Sequence, residues 1–266
     1  KRAVSAGFGL GAVDAIPFEG DGSRTFRTLG GDGILVLRSS DDRSLTLAFG
    51  GRRFEYKPEP KNLYDWVGAV ASLRLDLTLW QPSGGTRSLE LAATFGFEAR
   101  SYESTALANA CAQDEMPSEA CFKGTSLTRS DRFQRAGVEV TWTGRVLAAL
   151  AYQISINDSN SFGQSLIRHR VTVSATTTLP WQLHGTALAT LQFDQYLDGL
   201  LIQRDVTSQT FTTLDDENRS SLQVRLGRQV SKAWSAELRG ALWRNLGGQD
   251  TKFRRELVYL GAVYHR

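Results

Sequence analysis

The chain has 266 residues, of which 41% are hydrophobic and 22% charged, with a net charge of +3 and a pI of about 9.0. It contains no run near the ~20 consecutive apolar residues that a membrane-spanning helix needs, which excludes a helical membrane protein. Basic and acidic residues are interleaved, as at Arg225, Arg228, Glu237 and Arg239, and this disfavours nucleic acid as a partner.

Apolar and polar residues alternate along most of the chain. In Ser72–Leu79, leucines occupy every second position and Ser, Arg, Asp and Thr lie between them. Residues 88–98, 170–175 and 221–226 repeat the alternation. Successive side chains of a strand point to opposite faces, so each segment has one apolar and one polar face. The sequence therefore predicts an all-β protein with very little helix.

Twelve such segments follow one another, most of them about 10–14 residues long. Strands of soluble sheets usually have ~5–6 residues, whereas a tilted membrane-spanning strand needs ~9–11. Strand length therefore favours a barrel in a membrane. The predicted strands are 2–15, 31–38, 44–56, 64–80, 88–102, 132–142, 145–156, 166–178, 182–195, 220–230, 234–246 and 253–264.

The predicted connections alternate in length. Short turns are expected at 39–43, 81–87, 143–144, 179–181 and 231–233, and longer loops at 16–30, 103–131, 157–165 and 196–219, with 57–63 and 247–252 as shorter exceptions. Tight turns at one rim and longer loops at the other are typical of outer-membrane barrels. Because the strand number is even, both termini fall on the short-turn side.

Aromatic residues cluster near the predicted strand ends. Trp80, Trp142, Trp181 and Trp234 each lie beside a short turn, where an interfacial girdle is expected. The alternative is that these are core aromatics of a soluble sandwich or barrel. A second set is expected near the opposite ends: Trp66, Tyr64, Tyr56, Tyr102 and Tyr196.

With these features the chain resembles bacterial outer-membrane β-barrels as a class. The final stretch, 259–266, is similar to their carboxyl-terminal assembly signal, although it ends in Arg266 rather than an aromatic residue. The resemblance implies a closed antiparallel transmembrane β-barrel, an up-and-down meander of about twelve strands. Residues 1–266 would form one outer-membrane domain with periplasmic termini, or the carboxyl-terminal membrane domain of a longer protein. Outer-membrane lipid, the barrel-assembly machinery and other envelope proteins are the expected partners.

The polar phase of the strands gives a set of inward residues whose opposite charges nearly balance. Such charges cannot face hydrocarbon, so they are expected to line the lumen. Two functions stay open: a narrow porin-like channel that transports small solutes, and a non-enzymatic scaffold or anchor barrel of a secretion, motility or polysaccharide-export machine, its interior filled by ion pairs. The predicted pore-lining residues are Arg74, Asp76, Glu90, Glu98, Arg100, Arg135, Glu139, Arg168, Arg170, Asp194, Arg225, Glu237 and Arg239.

The remaining candidate sites are few. Cys111 and Cys121 lie in one predicted loop, and the pair is interpreted as a disulfide. Outer-membrane phospholipases and lipid A deacylases also form twelve-stranded barrels, so a lipid hydrolase is the third alternative. However, Val171 stands where the phospholipase pattern needs a serine after His169, and no catalytic set can be assembled. The sequence predicts no enzyme activity, no cofactor and no metal site.

Overall fold

A computed structural model describes residues 3–15, 26–40, 42–56, 65–83, 85–110, 122–197, 220–231, 233–244 and 254–264. These residues contain twelve β-strands and one 3₁₀ turn, Pro180–Gln182. The strands are β1 Ala3–Ala15, β2 Phe26–Ser40, β3 Arg43–Tyr56, β4 Trp66–Trp80, β5 Ser88–Asn109, β6 Phe122–Thr143, β7 Val146–Ser159, β8 Leu166–Leu179, β9 Leu183–Tyr196, β10 Ser220–Gln229, β11 Trp234–Arg244 and β12 Arg254–Tyr264.

The strands form one antiparallel sheet in which spatial order equals chain order, from β1 to β12. The twelve predicted strands and the up-and-down meander are therefore confirmed. The predicted closure is not shown. Over the described residues β1 pairs with β2 alone and β12 with β11 alone, so the sheet has two free edges.

β5 and β6 are the longest strands, with 22 residues each. The prediction of a loop over 103–131 is wrong at both ends, because β5 continues to Asn109 and β6 begins at Phe122. The pairing continues beyond Ser101 through two register shifts, one before and one after the pair of Thr105 with Thr128. The alternation of apolar and polar residues is weak in this Ser- and Thr-rich part, so the extension could not be predicted from the pattern. Residues 103–109 of β5 and 122–128 of β6 lie beyond the last pair of β4 with β5, and we call this part of the two strands the outer hairpin.

The two faces of the sheet have an inverted character. Among the described residues, the buried hydrophobic side chains are only Phe54, Trp66, Ala92, Tyr102 and Ala106, and the buried polar ones are more numerous. In a water-soluble domain the large apolar side chains are mostly inside. Here, many of them are exposed on one face, which we call the apolar face and which includes Leu73 and Leu75 of β4. The opposite face, which includes Arg74 and Asp76 of the same strand, is the polar face.

The polar face is concave where its side chains meet across strands. Arg74 on β4 reaches Glu139 on β6, with 3.4 Å between Nη2 and Oε1, although β5 lies between the two strands. Side chains that converge over an intervening strand indicate curvature toward them. The polar side chains thus line the inside of a curved sheet, and the apolar ones cover the outside.

Candidate functional site

All of the predicted pore-lining residues lie on the polar face, and most are joined in ion pairs. Near the short-turn rim, Arg74 Nε lies 2.7 Å from Asp76 Oδ1 in addition to its contact with Glu139. These three side chains are 39–45% exposed. Glu90, also at this rim, accepts a hydrogen bond of 2.8 Å from the Ser88 hydroxyl. The charges at this end are paired but open to solvent.

A second exposed cluster lies on β10 and β11. Glu237 is paired with both Arg225 and Arg239. The two arginine side chains are 58% and 54% exposed, whereas that of Glu237 is 12% exposed. Two guanidinium groups therefore flank one sheltered carboxylate, which leaves a local excess of positive charge.

Closer to the long-loop rim the charged pairs are buried. Arg100 Nε lies 2.7 Å from Glu98 Oε1, and both side chains are 5% exposed. Arg135 approaches the same carboxylate at 3.4 Å but is 48% exposed. On β8 and β9, Arg168 lies 2.9 Å from Asp194, whose side chain is 2% exposed. Charged pairs are therefore buried at this level of the polar face and exposed at the other.

Arg170, the remaining predicted residue of the polar face, is bonded to the side-chain amide of Gln192. Its Nη2 donates to Gln192 Oε1 at 2.8 Å. Gln192 is 3% exposed, and its backbone N–H donates to the Ser220 hydroxyl at 3.1 Å. This contact links β8, β9 and β10.

Arg100 is also the centre of a stack of aromatic rings on the polar face. Its guanidinium carbon lies 4.3 Å from the ring centroid of Trp66 and 4.3 Å from that of Phe133. The stack continues from Trp66 to Phe54 at 6.0 Å and from Phe54 to Phe26 at 5.3 Å. We call these five residues the cation–π stack. It runs across β2 to β6 and covers the polar face at the long-loop end.

Asp131 forms the most buried ionic hub among the described residues, at 1% exposure. Arg129 binds both of its oxygens, at 2.7 and 3.2 Å, and the Ser159 hydroxyl donates to it at 2.5 Å. Arg129 also donates to Gln164 Oε1 at 3.1 Å and lies 4.1 Å over the ring of Tyr102. The hub therefore joins β5, β6, β7 and the β7–β8 loop.

The β7–β8 loop braces the outer hairpin directly. The Phe162 N–H donates to the Leu107 carbonyl at 2.9 Å, and the Leu107 N–H donates to the Ser161 hydroxyl at 3.0 Å. Phe162 stacks on Phe122 with 5.5 Å between ring centroids. Asn160 accepts from the backbone N–H of Ser130 at 2.8 Å. The outer hairpin is thus fixed to the β7–β8 loop by both backbone and side-chain contacts.

The sequence analysis missed several members of this face. Trp66 and Tyr102 were assigned to an interfacial girdle, but both are buried. They are opposite each other in register and share the polar face with Arg100, whose guanidinium lies over the Trp66 ring. Trp66 and Arg74 are both even-numbered positions of β4, so strand parity could have placed Trp66 correctly. Charged or aromatic residues of the polar face that were not predicted include Phe26, Asp32, Arg38, Arg52, Phe54, Arg129, Asp131, Phe133, Trp243, Arg255 and Tyr259.

The four tryptophans predicted for a membrane interface lie at the short-turn rim and are exposed. Trp80 and Trp142 stack at 5.7 Å, and Trp234 contacts Tyr264 at 5.1 Å. Trp181, in the 3₁₀ turn, is 77% exposed and has φ of 60°. Of the opposite set, Tyr64 and the side chains of Tyr56 and Tyr196 lie outside the described residues.

Cys111 and Cys121 also lie outside the described residues, so their disulfide stays a prediction. Within the described residues no group of three His, Cys, Asp or Glu side chains is placed to hold a metal ion. The same part of the chain contains no helix of the length and apolarity needed to cross a membrane. His184 lies on the polar face, opposite Thr178.

A twelve-stranded antiparallel meander with a polar concave face and an exposed apolar face resembles the outer-membrane β-barrel proteins as a class. A search of solved structures matches the translocator domain of the autotransporter NalP from Neisseria meningitidis, with 12% identity and a TM-score of 0.32. The match covers 100% of this chain and 88% of that domain. At this TM-score the match carries no inference, and the resemblance depends on the strands themselves. No family model and no curated protein matches the chain.

Proposed function

We propose that the chain is an integral barrel of the bacterial outer membrane, with a narrow passage for small solutes. The observation that carries this proposal is the inversion of the two faces. Phe8 and Leu10 are 76% and 80% exposed on the apolar face, whereas Glu98 and Asp131 are 4% and 1% exposed on the polar face. Hydrocarbon around the sheet and charge within it account for both facts.

The extent of the apolar face supports the membrane location. On β5 the outward positions from Leu89 to Ala99 are all apolar: Leu89, Leu91, Ala93, Phe95, Phe97 and Ala99. These positions span about 34 Å along the strand, or about 25 Å across a bilayer at a tilt of ~40°. The apolar band of an outer-membrane barrel is about 25 Å tall. The strand length and the band height therefore agree.

Trp181 supports the same location from its backbone conformation. Its φ of 60° places a bulky residue in the left-handed region, at a cost of roughly 1–2 kcal/mol. In water nothing evident would offset that cost, because the indole is 77% exposed. At a membrane interface the exposed indole is stabilised by its amphipathic surroundings. This turn would then lie on the periplasmic side, together with both termini.

We propose that the sheet closes into a barrel, and its register is compatible with closure. When each residue is followed to its register partner on the next strand, Ala3 on β1 leads through all twelve strands to Arg255 on β12. In a closed barrel, Arg255 would be opposite a position that is displaced from Ala3 along β1, and this displacement is the stagger. For twelve strands tilted by 35–45°, closure requires a stagger of about 12–17 residues. A stagger of about 12 would place Leu10 opposite Leu260, and one of about 14 would place Leu10 opposite Ala262. All three side chains lie on the apolar face, so either seam matches the faces of β1 and β12.

The seam can be tested by cross-linking. With Cys111 and Cys121 replaced by serine, we expect Leu10→Cys to form an intramolecular disulfide with either Leu260→Cys or Ala262→Cys, because directly opposed Cβ atoms lie ~4.5–5.5 Å apart. The measurement is the change in electrophoretic mobility on oxidation. The partner that reacts faster identifies the stagger.

Tyr259→Cys is the matched control for the seam, since it lies on the same strand but on the polar face. It should react poorly with Leu10→Cys. Cross-links that join two chains, or equal rates for all three partners, would argue against closure within one chain.

The passage is supported by the difference between the two ends of the polar face. At the short-turn end the Arg74 cluster and the Arg225 cluster are exposed to solvent. At the long-loop end the cation–π stack and the buried ion pairs fill the interior. A solvent-accessible entrance at the short-turn end that leads to a constriction at the long-loop end predicts small conductance. Arginines outnumber carboxylates among the predicted pore-lining residues, and many of these arginines are paired with carboxylates, so we expect weak anion preference.

Single-channel recording in planar bilayers tests the passage. Trp66→Ala should raise the conductance severalfold, because it removes the central ring of the cation–π stack. Trp80→Ala removes the same side chain from the apolar face and should leave the conductance unchanged. Replacing Arg135 and Arg225 together by Ser should move the reversal potential toward cation preference.

The scaffold interpretation is the second candidate, and the buried ion pairs favour it. Arg100, Glu98 and Asp194 exclude water from one level of the interior, as in a filled barrel. If neither the parent nor the Trp66→Ala variant conducts, the passage is contradicted and the scaffold is supported. Outer-membrane lipid and the assembly machinery are proposed partners under both functions. We propose no enzymatic activity, because the sequence offers no catalytic set of nucleophile, base and orienting residue.

A further inference from the structure

Tyr152 and His169 form a polar pair on the apolar face, where neither the passage nor the scaffold uses them. The Tyr152 hydroxyl lies 2.7 Å from His169 Nδ1, and the two rings are stacked with 6.1 Å between centroids. Gln153 and Arg170 oppose each other on the polar face, so their chain neighbours Tyr152 and His169 point the other way. A titratable pair therefore faces outward.

The surroundings of this pair are apolar. His169 is opposite Ile154 on β7 and Phe193 on β9, and Tyr152 is opposite Val138 and Val171. The nearest outward charged positions on these strands, Arg132 and Asp158, are paired in register closer to the long-loop rim. A histidine in hydrocarbon is costly unless its polar atoms are satisfied. The pair therefore needs a polar partner from outside the sheet.

The height of the pair indicates what that partner is. His169 lies ten residues from Leu179, the last residue of β8 at the short-turn rim. This separation is about 34 Å along the strand and about 25 Å across the membrane at a tilt of ~40°. His169 thus lies at the outer boundary of the apolar band, where acyl chains meet headgroups, and Tyr152 lies one outward position nearer the midplane.

We propose that Tyr152 and His169 bind the phosphate of a lipid headgroup at this boundary. When Tyr152 donates to Nδ1, the ring carries its proton on Nε2, and Nε2 then donates to a phosphate oxygen. A protonated ring donates from Nε2 as well and adds a positive charge opposite the phosphate. Ile154 and Phe193 contact the first methylenes of the acyl chain. The site rests on the membrane location proposed above and gives that location a specific lipid contact.

Lipid retention measured by native mass spectrometry tests the site. The full chain in detergent is mixed with phosphatidic acid or with diacylglycerol of the same acyl chains. We expect the parent to retain phosphatidic acid severalfold more than diacylglycerol. His169→Phe should lower the retention of phosphatidic acid to that of diacylglycerol, and Tyr152→Phe should lower it severalfold. His184→Phe, which changes a histidine on the polar face, is the matched control and should match the parent.

His169→Gln keeps a side-chain N–H donor and should give intermediate retention, so it decides the result if the Phe variant does not fold. Folding is checked by the electrophoretic mobility of unheated samples. Equal retention of phosphatidic acid by the parent and by both His169 variants would overturn the site, as would a parent that prefers neither lipid. A parent that retains neither lipid and remains in the aqueous phase would overturn the membrane location, and the lipid site with it.

Discussion

Replacing Asp131 by alanine is expected to lower the free energy of unfolding by about 3–5 kcal/mol, the range for breaking one partner out of a buried ion pair. The carboxylate is 1% exposed and is bound by Arg129 and Ser159. Its loss leaves the Arg129 guanidinium, whose side chain is 10% exposed, without its counter-charge. Urea unfolding in phospholipid vesicles, followed by tryptophan fluorescence, measures the change.

Asp76→Ala is the matched control, because Asp76 is bound by Arg74 but is 39% exposed. Exposed ion pairs contribute about 0–1 kcal/mol, so this variant should unfold close to the parent. Asp131→Asn retains an acceptor for Ser159 and should lie between the two. If Asp131→Ala and Asp76→Ala unfold at the same urea concentration, the hub does not stabilise the long-loop end.

Replacing Leu150 by arginine should cost about 2–4 kcal/mol if the apolar face meets hydrocarbon at its midplane. Leu150 is 54% exposed and is opposite Val140 and Val173, near the middle of the apolar band. In water the same change at a half-exposed position would usually stay within ±0.5 kcal/mol. The unfolding free energy in vesicles therefore separates a membrane barrel from a soluble sheet.

Leu127→Arg is the control for exposure alone. Leu127 is 63% exposed, but it lies on the outer hairpin beyond the pairing of β4 with β5. It should tolerate arginine with little loss of stability. Equal losses at Leu150 and Leu127 would contradict the membrane location, and so would no loss at either position.

The sequence predicted the strands and the faces because both depend on a local pattern. A period of two in Ser72–Leu79 fixes the strand and the side to which Arg74 and Asp76 point, without knowledge of any other segment. The sequence did not predict the contacts of the long-loop end. Asp131 meets Ser159 through the pairing of two strands and a loop, and the outer hairpin is shaped by register shifts that composition does not reveal.

Aromatic residues were the other source of error, because a tryptophan is suited both to an interface and to a packed interior. Trp181 and Trp66 show the two outcomes. Trp181 lies exposed at a rim, whereas Trp66 stacks against Arg100 on the polar face. Composition near a strand end does not separate these cases. The position of the residue in its strand does separate them: a tryptophan an even number of residues from a charged residue such as Arg74 lies on the same face as that residue.

The meander also sets the order in which a closed barrel could form. Every pairing in the sheet joins strands that follow each other in the chain, so each hairpin closes over a connection much shorter than the whole chain. The seam between β1 and β12 would instead join the two ends of the chain. Each doubling of loop length costs about 0.6 kcal/mol in closure entropy, so the seam costs roughly 2–3 kcal/mol more than a hairpin. In a closed barrel, the seam would therefore be the last pairing to form and the first to open.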